Sequence, residues 1–278
     1  MSYKTIVVHL DTSRHAHARL EMALQLAKHF GAHLVGVFAV FNPDPRAFYV
    51  MAGSAEYFAA QDHLRLERSG ALERLFHAEL KRAELAGEWV AVDQAANLTV
   101  PHRGHYADLV IAGQEDPHDP ESYVGDYFSE SLVMSAGRPV LLAPYAANAA
   151  APGGHVMVCW DGSREATRVV HDALPFMRTA RLTTIVSVNG EPGQSRVRIP
   201  GADIATVIAR HGIRVEVKNL DLPAGRAVGD MLLSQANTLG ADLLVMGAYG
   251  HARWQELVMG GATRTILKSM TLPVLMSH

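Results

Sequence analysis

Three glycines, Gly247, Gly250 and Gly260, fall in the order Gly-x2-Gly-x9-Gly and run directly into Gly261, Ala262 and Thr263. They follow a short apolar run, Asp242–Met246, that reads as a buried parallel strand. They lead into Thr263–Met270, where Ile266, Leu267 and Met270 share one helical face. The carboxyl end of a strand, followed by a helix start, is where open α/β sheets bind ligands. The helix start presents unpaired N–H groups and about half a positive charge to an anion. Glycine lets the backbone approach a phosphate with no Cβ in the way. The plainer alternative is three glycines in a turn with a helix cap.

The elements that must position this stretch come as a repeat. Ala107–Gly113 matches Ala241–Gly247 at a spacing of 134, and the same spacing carries Arg138–Leu142 onto Leu272–Met276. Ile6–Ser13 matches Val156–Ser163 at a spacing of 150, so the first copy holds about sixteen extra residues. These are expected in a long helical stretch ending near Gly87, with an apolar face at Leu72, Leu75, Phe76 and Leu80. Two domains follow, 1–145 and 154–278, joined by an Ala-, Pro- and Gly-rich linker from Tyr145 to Gly154. In each, strands alternate with helices, which calls for a parallel sheet covered on both faces.

In the first domain the pattern predicts strands at 4–10, 33–40, 89–94, 108–113 and 139–143, with helices at 14–30, 55–87 and 127–136. Pro101 and Gly104 argue against a helix between 97 and 106. In the second it predicts strands at 155–160, 182–188, 213–219, 242–247 and 273–276. Helices are expected at 163–178, 201–211, 226–239 and 262–270.

A net charge of −3 gives no footprint for nucleic acid or an anionic membrane. The single Cys159 allows no disulfide framework, and no apolar run approaches twenty residues. The chain enters a strand directly at Thr5–Val8, so a reducing cytoplasm is the expected address.

Strand, Gly-x2-Gly-x9-Gly, helix and a short last strand together resemble the ATP-binding signature of the universal stress protein (UspA) family. The tandem resemblance covers essentially the whole chain. It implies two fused, five-stranded Rossmann-like domains of the adenine nucleotide alpha hydrolase-like kind. It also implies antiparallel pairing of the last strands, 139–143 with 273–276, so a pseudo-dimer forms within one chain; further homodimerisation stays open. The family usually carries Ser or Thr where this chain has Gly261, and Thr263 is the nearest substitute hydroxyl.

By the same resemblance Asp161 would lie near the adenosine, with Val188 at the adenine edge and Met246 beside the purine. Against this, Asp161 can belong to a turn capped by Ser163, and Val188 and Met246 can be plain core. His251 and Arg253 lie between the glycines and can reach phosphate or simply face solvent, while Trp254 would plug the loop onto the domain. The implied ligand is ATP or ADP, with or without Mg2+. The implied role is a nucleotide-dependent regulator of the stress response. Slow ATPase activity and a nucleotide-free scaffold are the alternatives. Without a Gly-x4-Gly-Lys-Ser/Thr loop, and with Glu256 as the only carboxylate inside the signature, little or no turnover is expected.

The copies are not equivalent. At the 134 spacing Gly247 maps to Gly113, Gly250 to Asp116, Gly260 to Asp126 and Thr263 to Ser129. The first copy is therefore not expected to hold ATP, and its loop with Glu115, Asp119 and Glu121 reads as solvated acid rather than a metal site. Asp11, the counterpart of Asp161, reads as structural. His15 with His17, and His102 with His105, lack partners at zinc-ligand spacing.

Overall fold

The computed structural model describes residues 2–40, 55–91, 96–146, 151–189, 201–223, 225–249 and 261–278. The first half holds strands β1 (Thr5–Leu10), β2 (His33–Phe38), β3 (Gly87–Ala91), β4 (Leu109–Gly113) and β5 (Val140–Ala143). The second holds β6 (His155–Cys159), β7 (Leu182–Asn189), β8 (Val215–Asp221), β9 (Leu243–Gly247) and β10 (Val274–Ser277). They form one sheet in the order β3-β2-β1-β4-β5-β10-β9-β6-β7-β8. All pairings within each half are parallel. The halves join through antiparallel β5 and β10, in register Val274 with Leu142 and Met276 with Val140. Each of these strands would otherwise be an edge with bare N–H and C=O groups, and the pairing covers both.

Helices α1 (Ala16–Phe30), α2 (Ala55–Ala83), α5 (Arg164–Asp172), α6 (Leu174–Thr179) and α7 (Ala202–Ala209) contribute to the core on one face. Helices α3 (Ala96–Gly104), α4 (Phe128–Ser135), α8 (Val228–Leu239) and α9 (Gly261–Ser269) contribute to the core on the other. Each core runs across both halves. Tyr3, Phe30 and Phe176 stack edge-on over the junction, where Tyr3 Oη donates to the Asp172 carbonyl at 2.6 Å. The side chain of Gln114 donates to the Leu267 and Lys268 carbonyls, so the first half caps the end of α9.

The extra residues of the first copy lie in α2, which is 29 residues long against eight in α7. Phe76, against Gly36 and Trp89, and Leu80, against Gly87, anchor its carboxyl end. Two expectations fail. Residues 96–104 are helical despite Pro101, because Thr99, Val100, Pro101 and Gly104 bury one face; a Cβ on Gly104 would meet Val110 at 3.0 Å and Ala136 at 3.2 Å. The expected single helix at 163–178 is two, broken at Ala173, with Pro175 in the first turn of α6. Proline has no N–H to continue the ladder but fits a helix start.

Candidate functional site

Of the sequence-derived site residues in the second half, Asp161, Val188, Met246 and Gly247 lie at or just past the carboxyl ends of β6, β7 and β9, and Gly261, Ala262 and Thr263 at the start of α9. Asp161 is exposed, and its Oδ1 accepts the Ser163 backbone N–H at 2.9 Å. Ser163 then caps α5, its Oγ accepting the Ala166 N–H at 3.1 Å. Val188 is half-buried near the end of β7, opposite Leu220. Met246 is a core residue at 5% exposure. Gly261 opens α9 at the surface, and a Cβ built there would meet nothing within 4 Å. Ala262 is half-buried and Thr263 buried. Gly250, His251, Arg253, Trp254, Glu256 and Gly260 lie outside the described residues.

Gly247 has a reason of its own to lack a side chain. A Cβ there would stand 2.5 Å from Ala166 N and 2.6 Å from the Glu165 carbonyl carbon. The first turn of α5 rests directly on the strand end. Gly247→Ala is therefore expected to cost about 1–3 kcal/mol through overpacking, even without ligand, as urea unfolding of the apo-protein would measure.

That contact brings in a residue the sequence reading passed over. Glu165 is 3% exposed, its Oε1 is paired with Arg164 Nε, and its Oε2 has no hydrogen-bond partner. Burial pushes its carboxyl up, but Arg164 and the residue's own backbone N–H bring the balance below the usual range. The available signal was an acid in the first turn after an N-cap serine. Tyr249, two residues past Gly247, takes a left-handed φ of 61 and buries a phenol oxygen with no partner among the described residues. Burial first, then the charge of Glu130 from the first half, push that phenol upward.

The first half answers each feature differently. Asp11 is 3% exposed and sealed: Arg19 Nη2 lies 2.7 Å from its Oδ2, and Ser13 donates to Oδ1 through N and Oγ. Arg19 Nε also donates to the His9 carbonyl at 2.7 Å, and its guanidinium fills the space where a Cβ on Gly113 would stand. At the 150 spacing Arg19 corresponds to Val169.

The acidic loop is solvated only in part: Glu115 and Glu121 are exposed, Asp119 is half-buried and Asp116 is held inside. Asp116 is 2% exposed, with Arg14 Nη2 at 2.5 Å, His15 Nε2 at 2.9 Å and the His118 N–H on its other oxygen. His15 first, then the His118 N–H and Arg14, hold its carboxyl well below the usual range against the upward push of burial. Asp119 accepts the Arg14 backbone N–H, and Glu121 accepts Thr12 and pairs with Arg68 at 2.7 Å. The carboxylates thus fasten the loop onto the start of α1.

No group of three metal-capable side chains converges among the described residues. His15 is spent on Asp116, and the His102 and His105 rings are 6.0 Å apart. Among the described residues no helix is long and apolar enough to cross a membrane.

The sequence profile of the universal stress protein family matches residues 2–144 and 222–278. The chain belongs to that family. A universal stress protein of Synechocystis sp. is 27% identical over 171 residues, 60% of this chain. The match spans 57% of the length of that relative. The crystal structure of a universal stress protein from Archaeoglobus fulgidus DSM 4304 shares the fold at TM-score 0.71 and 16% identity, over 98% of this chain and 95% of that one. A functionally unknown protein from Pseudomonas aeruginosa PAO1 does so at TM-score 0.58 and 14% identity, over 99% and 92%.

Proposed function

We propose that the second half binds ATP or ADP across the carboxyl rim of β6, β7 and β9, and that the protein works as a nucleotide-dependent regulator of a stress response in the cytoplasm. The polyphosphate would meet the open start of α9 at Gly261, and Asp161 the ribose side. Val188 and Met246 would border the base, and His251 and Arg253 would supply cationic donors to phosphate. One contrast carries this reading. At matching rims Asp161 is exposed and meets no cation among the described residues, while Asp11 is locked to Arg19.

The residues also suit an accompanying Mg2+. The Glu165 carboxylate, beside Gly247, is paired with Arg164 through Oε1 and leaves Oε2 without a partner among the described residues, an oxygen that could face such an ion. Such an ion would neutralise phosphate charge. Regulation would then come through binding, because the signature lacks the Gly-x4-Gly-Lys-Ser/Thr loop that positions phosphates and metal for turnover.

Thermal and calorimetric titration with ATP, ADP and AMP tests the proposal. Nucleotide at about a hundred times its Kd is expected to add about 2.7 kcal/mol, which raises Tm by several degrees. The absence of a shift with all three would favour the scaffold alternative. Steady-state turnover above a few per minute would favour the ATPase.

A further inference from the structure

Not every acid of the first-half loop is satisfied. Asp116, Asp119 and Glu121 are tied to Arg14, His15, Arg68 and Thr12, but no cation pairs with Glu115 or Glu130 among the described residues. These two line a small hollow of about 30 Å3 at the carboxyl ends of β1 and β4. Val124, Phe128 and Ser129 also line it, together with Asp11, whose charge is already met by Arg19.

His9, also in the lining, is 1% exposed. Its Nε2 lies 2.7 Å from the Ala39 carbonyl, so that nitrogen carries the proton and Nδ1 is left as an acceptor. Nδ1 has no hydrogen-bond partner among the described residues. A buried acceptor without a donor costs about 1–3 kcal/mol, so one is rarely left open without a reason. The hollow thus combines two carboxylates without a paired cation among the described residues, Glu115 exposed at its mouth and Glu130 half-buried, with an orphan imidazole nitrogen and an aromatic ring. Every unmet polar group there wants a donor or a positive charge.

We propose that this hollow binds a small organic ammonium ion, held between Glu115 and Glu130 beside the ring of Phe128. A bare metal ion suits it less well, since no three metal-capable side chains converge among the described residues. An alkylammonium uses what a metal would not: three N–H donors, apolar contact with Val124 and attraction to the ring face. The environment of Glu115 agrees, because burial, then Glu130 and Asp126, push its carboxyl up and mark a place short of positive charge. Anions, nucleotides among them, are repelled by the same groups. The site is therefore complementary to the one proposed in the second half and independent of it.

Calorimetry with 1,4-diaminobutane against the full chain, at constant ionic strength, tests this. Saturable binding is expected, weakened about tenfold, or one charge contact of about 1.4 kcal/mol, by Glu130→Gln and again by Glu115→Gln. Glu73→Gln on the exposed face of α2 makes the same charge change elsewhere and should leave binding intact. Gly250→Asp should also leave it intact, which separates this outcome from the nucleotide reading. Circular dichroism checks that the variants fold. The 15N resonance of His9 Nδ1 should move on addition of the diamine. Absence of saturation up to about 10 mM, equal binding by both Gln variants, an unmoved His9 nitrogen, or binding of Mg2+ in place of the diamine would each overturn the proposal.

Discussion

Arg19→Met should lower the free energy of unfolding by about 3–5 kcal/mol, because it leaves the Asp11 carboxylate buried without its counter-charge. The side chains of Arg19 and Asp11 are 3% and 5% exposed, with Nη2 and Oδ2 2.7 Å apart. Truncation also frees the His9 carbonyl from Nε and opens space over Gly113. Adding Asp11→Asn should recover part of the loss, since a neutral amide removes the uncompensated charge and its Oδ1 still accepts from Ser13. Urea melts of the two singles and the double complete the cycle. If Arg19→Met alone costs less than about 1 kcal/mol, the pair is not buried as described.

The same cluster sets the acid limb of stability. Burial pushes the Asp11 carboxyl up, but Arg19, His9 and the two Ser13 donors together outweigh it, so the balance lies below the unfolded value of about 3.9. Its stabilisation is full above that value and is lost as the pH falls through the folded one. His9 acts earlier: burial pulls its imidazole down to about 4 from about 6.5. The unfolded chain therefore takes up a proton first, and about 3 kcal/mol should drain away between pH 6.5 and 4. Stability that stays flat over that interval would refute the buried neutral imidazole.

Much of the architecture was legible because it repeats. The apolar runs ending at Gly113 and Gly247 show both β4 and β9, and the copies of the last strand show where the halves meet. Local rules failed where tertiary packing opposed them. Pro101 is accepted because its neighbours bury a face against the sheet, and Pro175 ends one helix by starting another. The site was only half legible. Glycine spacing pointed to Gly247, but spacing alone cannot separate room for a ligand from room for the first turn of α5. Nor did the acids of 115–121 announce their partners. Arg14 and His15 lie about a hundred positions away, and only the fold brings them to Asp116. Arg19 was invisible for the same reason: on α1 it reads as one more surface cation.

Gly250→Asp should weaken ATP binding about a thousand-fold. A carboxylate about 4 Å from a phosphate charge opposes it by about 4 kcal/mol at an effective dielectric of 20, and that energy converts to roughly three decades of Kd. The substitution writes into the second copy what the first already has, since Asp116 is the counterpart of Gly250. The reverse change should not be symmetrical. Asp116→Gly removes the acceptor that gathers Arg14, His15 and the His118 N–H, so the loop loosens from the start of α1. It does not clear a phosphate site, because Asp126 still stands where the second copy has Gly260, and Arg19 still covers Gly113. ATP titrations of both variants, read by calorimetry beside the unsubstituted chain, should show one site lost in Gly250→Asp and none gained in Asp116→Gly. An unchanged Kd in Gly250→Asp would move the nucleotide off this rim altogether. A second ATP site appearing in Asp116→Gly would mean that a single carboxylate, and not the Arg19 lock beneath it, keeps the first copy from binding.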